Sequence, residues 1–272
     1  MARGPDGADD RAAPGLAGLG NPRASAAAIL LRMTKPDSTS RNESDSVDRV
    51  RAGDRARQFF DSLWNQGDYW KLETCAFELA RYARLMELLR DRRYSRTLEI
   101  GCGAGAFTRL LAGVSERVVA LDVSPAAIER ARAHSTGGSV EFRVANVMEI
   151  ALEEEGPWDL IVMNETVYYL GWLYSFFDVS WLAHRLFTVT AGSGRFLMAN
   201  TFGDTAGYLL QPSLIRTYRD LCVNVGFVLE REEVFRGTKD ETELDVLISL
   251  LRRPMTTQSI SGPASASSVA EP

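Results

Sequence analysis

Short apolar runs alternate with longer stretches of helical spacing through most of the chain. Strands are predicted at 97–100, 117–122, 140–144, 158–163, 195–200, 227–230 and 244–251, and helices at 47–63, 71–90, 106–112, 124–134, 177–189 and 212–225. The plainest alternation is at 140–144, where Val, Phe and Val are interleaved with Glu and Arg. The plainest helical stripe is Leu72, Cys75, Leu79, Tyr82, Met86 and Leu89, spaced three and four apart, with Glu78 and Arg81 flanking it as solvated charges. Ser124-Pro125 reads as an N-cap with proline at the first helical position, and Gly226 as a helix end. Ala191-Gly-Ser-Gly194 reads as a turn, 201–210 as a substrate-side loop, and 237–241 as the link between the last two strands. No periodicity runs through 1–46 or 254–272, which are expected to be disordered, and Met33 is a conceivable natural start. The organisation expected is therefore a disordered extension (1–46), cover helices (47–92), an α/β domain (93–253) and a loose tail (254–272).

Composition changes this picture little, and charge narrows it. Of 272 residues, 45% are hydrophobic and 25% charged, as in ordinary globular proteins. A net charge of −5 argues against non-specific nucleic-acid binding, which needs a basic face. No apolar run is long enough to span a bilayer, and 26–31 makes no convincing signal peptide. Cys75, Cys102 and Cys222 are odd in number and widely spaced, suggesting neither a disulfide framework nor a zinc site. A reducing cytoplasm is the expected compartment.

The candidate chemistry begins at 97–108, Thr-Leu-Glu-Ile-Gly-Cys-Gly-Ala-Gly-Ala-Phe-Thr. A strand, a turn with Gly101, Gly103 and Gly105, and a helix make a nucleotide-binding crossover, since glycine permits positive φ and close backbone approach. Asp122 ends the next strand about twenty residues on, the spacing at which an acid accepts from ribose hydroxyls, with Val123 beside it. The glycines alone do not separate two cofactor classes, because Gly101, Gly103 and Ala106 also satisfy the dinucleotide pattern. In an open α/β sheet, ligands bind beyond the strands' carboxyl ends, which points to Asn164-Glu-Thr-Val-Tyr-Tyr-Leu170 as the place of reaction.

The segment 97–108 resembles motif I of class I S-adenosylmethionine (SAM)-dependent methyltransferases, which favour an acid where Glu99 stands. From about 64 to 253 the chain is similar to that superfamily, and within it to the nodulation protein S-like group. The likeness rests on the aromatic and Glu/Arg/Tyr helix before the first strand, on 98–108, and on Asp159-Leu-Ile-Val-Met-Asn-Glu-Thr-Val-Tyr-Tyr-Leu170. It implies a Rossmann-like doubly wound seven-stranded sheet, mostly parallel with an antiparallel C-terminal strand, plus N-terminal cover helices. It implies SAM as cofactor, Tyr69 and Trp70 as part of a lid, and Arg81 facing the methionine carboxylate. Asn146 stands where relatives usually have an aspartate at the adenine amino group; its amide oxygen can still accept a bond, and backbone groups at Val147 can read the adenine edge. The implied activity is methyl transfer to a hydroxyl or amine of a small molecule, with a sugar or sugar-bearing natural-product intermediate as first choice.

An alcohol acceptor profits from a general base, whereas an amine needs only a neutral, aimed lone pair. Glu165, Asn164 and His184 are the catalytic candidates, with Glu165 a base or an anchor. His134 ends a crossover helix far from the expected site. Tyr69, Trp70, Tyr168 and Tyr169 are candidate aromatic neighbours of a sulfonium. No Asp/Glu/His cluster suggests a metal. Two competing readings stay open: an NAD-dependent oxidoreductase, and a methyltransferase-like binding protein without turnover. Oligomeric state is not legible.

Overall fold

The computed structural model describes residues 45–135, 137–203 and 208–255. The expected disorder of 1–46 and 254–272 falls almost wholly outside these residues, as does the middle of the expected 201–210 loop. The order along the chain is α1 (Asp45–Trp64), α2 (Ala76–Leu89), β1 (Tyr94–Ile100), α3 (Ala106–Leu111), β2 (Ser115–Asp122), α4 (Pro125–Ala133), β3 (Val140–Val144), α5 (Leu152–Glu155), β4 (Trp158–Asn164), α6 (Val167–Leu173), α7 (Phe176–Val189), β5 (Thr190–Phe202), a 3-10 turn (Tyr208–Leu210), α8 (Pro212–Asn224), β6 (Val228–Lys239) and β7 (Thr242–Arg252).

The strands form one seven-stranded sheet in the order β3-β2-β1-β4-β5-β7-β6. Only β7 runs against its neighbours. This is the class I methyltransferase fold. Strands in the middle are apolar on both faces because helices cover both. Ile161 and Met163 pack with α7 and α8 on one side, and Leu160 and Val162 pack with α2 and α3 on the other. Leu160, Ile161 and Val162 have no exposed surface, and burying each such side chain contributes roughly 1.5–3 kcal/mol.

Four local expectations change. The second helix begins only at Ala76, because Lys71 takes φ 53° and the Asp68 carboxylate accepts from Glu73 N at 3.2 Å, holding 68–75 in turns. Its buried face is rotated from the predicted stripe: Leu79 is 50% exposed, while Glu78 and Arg81 are 4% and 1% exposed. The Gly/Ser segment 191–194 is an irregular start to β5, where the register with β4 jumps from Trp158↔Thr190 to Leu160↔Arg195. The last two strands are longer than predicted and meet in a tight turn, with Asp240 and Glu241 at φ 47° and 67°.

The sheet order reverses between β1 and β4, so the loops after these strands diverge and leave a crevice at their carboxyl ends. Helix α1 and the turns at 68–75 lie over it. No helix among the described residues is long and apolar enough to cross a membrane.

Candidate active site

The floor of the crevice is the glycine turn. Gly101 and Gly103 have φ 79° and 53°. A Cβ on Gly101 would lie 2.4 Å from Thr166 Oγ1, and one on Gly103 2.7 Å from the Trp64 ring. Gly101 N and Cys102 N both donate to Leu121 O, at 2.8 and 2.9 Å, which binds the turn to the end of β2. Gly105 does not line the cleft. It is a packing glycine, set against Phe142 and Ala131.

Asp122 ends β2 at one wall. One carboxylate oxygen accepts from Gly103 N and the other from Ser124 N, each at 2.9 Å. Burial raises its pKa and these N–H groups oppose the rise. Two N–H bonds leave the carboxylate with lone pairs to spare. Asp61, which the sequence did not single out, reaches from α1 to accept from Ser124 Oγ at 2.8 Å and Ala126 N at 2.9 Å. Those bonds, the Ala126 one foremost, hold its carboxyl below the usual range.

Glu99 lies beneath the turn, 2% exposed, accepting from Thr108 Oγ1 at 2.5 Å. Burial pushes its carboxyl up to about 8; the Thr108 bond opposes this and the Asp122 charge adds to it. Asn146 donates to Glu149 and to the Tyr174 hydroxyl, both at 2.7 Å, and its amide oxygen accepts from Met148 N at 3.1 Å. The amide is thereby oriented, with Val123 and Val147 beside it on the cleft wall.

The opposite wall is a chain of charges. Arg81 donates from Nη1 to Glu165 at 2.6 Å and its Nη2 lies 2.5 Å from Glu78. Burial penalises the guanidinium's charge, but the two carboxylates outweigh that and hold its pKa above the ordinary value. Glu165 takes φ 56°. Its Oε1 accepts from Arg81, Thr201 N and Thr201 Oγ1, and its Oε2 from the Tyr168 hydroxyl at 2.7 Å. Thr166 Oγ1 donates within 3.1 Å of both the Ile100 and Asn164 carbonyls, where β1 and β4 splay apart. Asn164 faces the cleft, and its side-chain oxygen is buried with no partner among the described residues.

Aromatic rings close the mouth. Phe60, Trp64, Trp70, Tyr168 and Tyr169 line it, and Trp70 packs 5.2 Å from Trp64.

A family model for nodulation protein S (NodS) matches residues 52–176. The nodulation protein S of Sinorhizobium fredii is 32% identical over 172 residues, covering 57% of this chain and 76% of that protein. The chain belongs to the NodS family. The Bradyrhizobium diazoefficiens NodS is 41% identical over 105 residues, 38% of this chain; the match spans about half of that relative, 49%. The crystal structure of the N-methyltransferase NodS from Bradyrhizobium japonicum WM9 in complex with S-adenosyl-L-homocysteine (SAH) superposes with a TM-score of 0.61 at 23% identity. It covers 73% of this chain and 98% of that one. The NodS fold is thus shared over the whole sheet.

Within this NodS-family cleft the structure brings together Trp70, Arg81, Glu99, Gly101, Gly103, Asp122, Val123, Asn146, Val147, Asn164 and Glu165. It does not bring His184 there: that side chain is exposed on α7 and stacks on Trp181 at 5.2 Å, outside the cleft. Tyr69 is not among the lining residues either; it packs edge-on to Trp70 at 5.6 Å. Sequence reasoning missed Asp61, Glu78, Thr201 and Lys239. Asp61 and Glu78 sit on helices as unremarkable acids, and nothing local marks Thr201 or Lys239. Among the described residues no group of His, Cys, Asp and Glu can hold a metal ion.

Proposed function

We propose that the chain is a SAM-dependent methyltransferase acting on the amine of a small molecule, with an amino sugar or a sugar-bearing natural-product intermediate as the first acceptor to try. The cleft residues fit the cofactor. The Arg81 Nε is buried with no partner among the described residues, which suits a carboxylate oxygen. Asp122 keeps acceptor capacity for ribose hydroxyls. Asn146 would face the adenine amino group with its remaining lone pair, beside Val147. Gly101 and Gly103 leave open the space a side chain would fill. Bound SAM supplies an electrophilic methyl on a sulfonium.

The residues of the chain orient and desolvate. Trp70, Tyr168 and Tyr169 line the cleft; a ring face turned to a cation attracts it by roughly 0.5–2 kcal/mol, and the rings exclude water from the reacting atoms. Asn164 Oδ1, which lines the cleft with no partner among the described residues, would accept an N–H from the acceptor and aim its lone pair.

The observation that favours nitrogen over oxygen is the state of Glu165. Three donors occupy one of its oxygens and the Tyr168 hydroxyl donates to the other, so the carboxylate is committed to anchoring the loop after β4. An alcohol acceptor needs a base within hydrogen-bond reach. Every carboxylate among the described lining residues already accepts from, or is ion-paired to, a neighbour. An amine loses its proton to water before it binds and needs positioning alone.

Calorimetric titration with SAM, SAH and NAD tests the cofactor; labelled SAM offered with amino-sugar and hydroxyl-only acceptors tests the acceptor. Micromolar binding of SAM and SAH with label on the amine is the expected result. Binding of NAD alone, or of nothing by a folded protein, overturns the reading in favour of an oxidoreductase or an inactive binding protein. Label on a hydroxyl keeps the cofactor and reverses the acceptor.

A further inference from the structure

Lys239 is 4% exposed, although it lies one residue before an exposed turn. Its burial follows from how β6 meets α2. Gly237 leaves a gap in which a Cβ would lie 2.8 Å from the Phe77 ring, and Phe77 also packs 5.6 Å from Phe235. Residues 235, 237 and 239 share one face of the strand. Seating Phe77 in the gap therefore carries Lys239 onto the first turn of α2. There its ammonium donates to Glu78 Oε1 at 2.5 Å and to the Trp70 carbonyl at 2.8 Å. Glu78 is the second carboxylate on Arg81, and Glu165 is the first. Lys239, Glu78, Arg81 and Glu165 make a chain of alternating charges with no net charge, the first three buried and Glu165 half-buried, running from the hairpin to the loop after β4.

A buried charge with one partner removed costs more than the pair is worth, because the survivor stays desolvated. Without Lys239, Arg81 is the ionic partner left to Glu78 among the described residues. The guanidinium is then drawn towards Glu78, and the wall acquires a net negative charge. Both effects oppose an incoming carboxylate.

We propose that Lys239 is a positioning residue for the anionic end of the cofactor: by sharing the charge of Glu78 it keeps the Arg81 guanidinium from being drawn away and leaves Arg81 Nε to a carboxylate. This rests on the proposed role of Arg81, and the experiment separates the two. The full chain, its Lys239→Met and Lys239→Arg variants and the double variant Glu78→Gln/Lys239→Met are titrated with SAH and with decarboxylated SAH.

Lys239→Met is expected to bind SAH about tenfold more weakly, equal to ~1.4 kcal/mol, with the decarboxylated ligand changed far less. Lys239→Arg keeps the charge and is expected to retain most of the affinity. The double variant removes the opposing charge and is expected to recover much of it, which a purely structural role for Lys239 does not predict. Should Lys239→Met fail to fold, Lys239→Gln carries the same comparison, since its amide can still donate to the Trp70 carbonyl. Equal losses for both ligands, or no loss in a folded variant, overturn the proposal. A wild-type chain that binds both ligands equally removes Arg81 from the carboxylate and takes the proposal with it; one that binds neither overturns the cofactor reading itself.

Discussion

Half-buried Asp122 and buried Glu99 are carboxylates at the ends of neighbouring strands, and their different partners give them different work. Asp122 has backbone N–H groups on both oxygens and faces the cleft. Asp122→Ala is expected to weaken SAH binding by about ten- to a hundredfold, one or two hydrogen bonds to a charged group. Calorimetry on the folded variant checks this, and unchanged affinity removes Asp122 from the site. Glu99 has one hydroxyl partner, and burial lifts its carboxyl from the ordinary 4.5 to about 8. The unfolded side chain ionises near the ordinary value and the folded one near 8. Between those values the unfolded state holds fewer protons, so raising the pH destabilises the native state. This contribution is intact below the unfolded value and is lost as pH rises to about 8, on the order of a few kcal/mol. Urea unfolding at about pH 5 and about pH 8 should show that decline in the wild type, and Glu99→Gln should flatten it. A wild-type slope that persists in Glu99→Gln assigns the decline to another group.

At the scale of elements, caps and turns divide what the sequence reveals from what it hides. Helix α7 opens with a reciprocal cap: Asp178 N donates to Ser175 Oγ at 3.2 Å, and Ser175 N donates back to Asp178 at 3.2 Å. Asp178 also pairs with Arg49 of α1, 2.5 Å away, so the cap fastens the cover helix to the sheet domain. Ser175→Ala is expected to lower stability by about 1 kcal/mol, read as a shift in the urea midpoint. Strand, glycine turn and helix at 94–111 were legible because steric rules impose that order of residues. The Ser124 cap was legible for the same reason, and its side chain does accept from Ala127 N at 3.1 Å. The phase of α2 was not. Its stripe was counted from apolar residues, whereas the buried face carries Glu78 and Arg81, charges that stay buried only because partners distant in sequence neutralise them. The Gly/Ser irregularity in β5 was also hidden, since a turn and a bulge use the same residues.

Across the whole molecule, the glycine-turn side of the cleft was readable and the charged wall opposite it was not. The first is built from residues close in sequence along β1, β2 and their turns. The second joins Glu78 to Lys239 and Arg81 to Glu165, and separations of that size leave no local pattern. The number of strands and the antiparallel C-terminal strand were inferred from the likeness to a family; strand pairing by itself does not appear in a list of apolar runs. Among the pairings, that of β7 has the largest effect on tolerance to truncation. Removing the residues after Glu241 is expected to give insoluble protein, because β5 and β6 both lose the strand between them. A sedimentation assay of the expressed truncation checks this.

Among the described residues, the last strand to be made is not the last in the sheet. β7 lies between β5 and β6, so a chain emerging from the ribosome carries the edge of β5 open until its final strand is released. An open apolar edge is a template for pairing with other chains. Between synthesis of β5 and of β7, chaperones and neighbouring nascent chains compete for that edge.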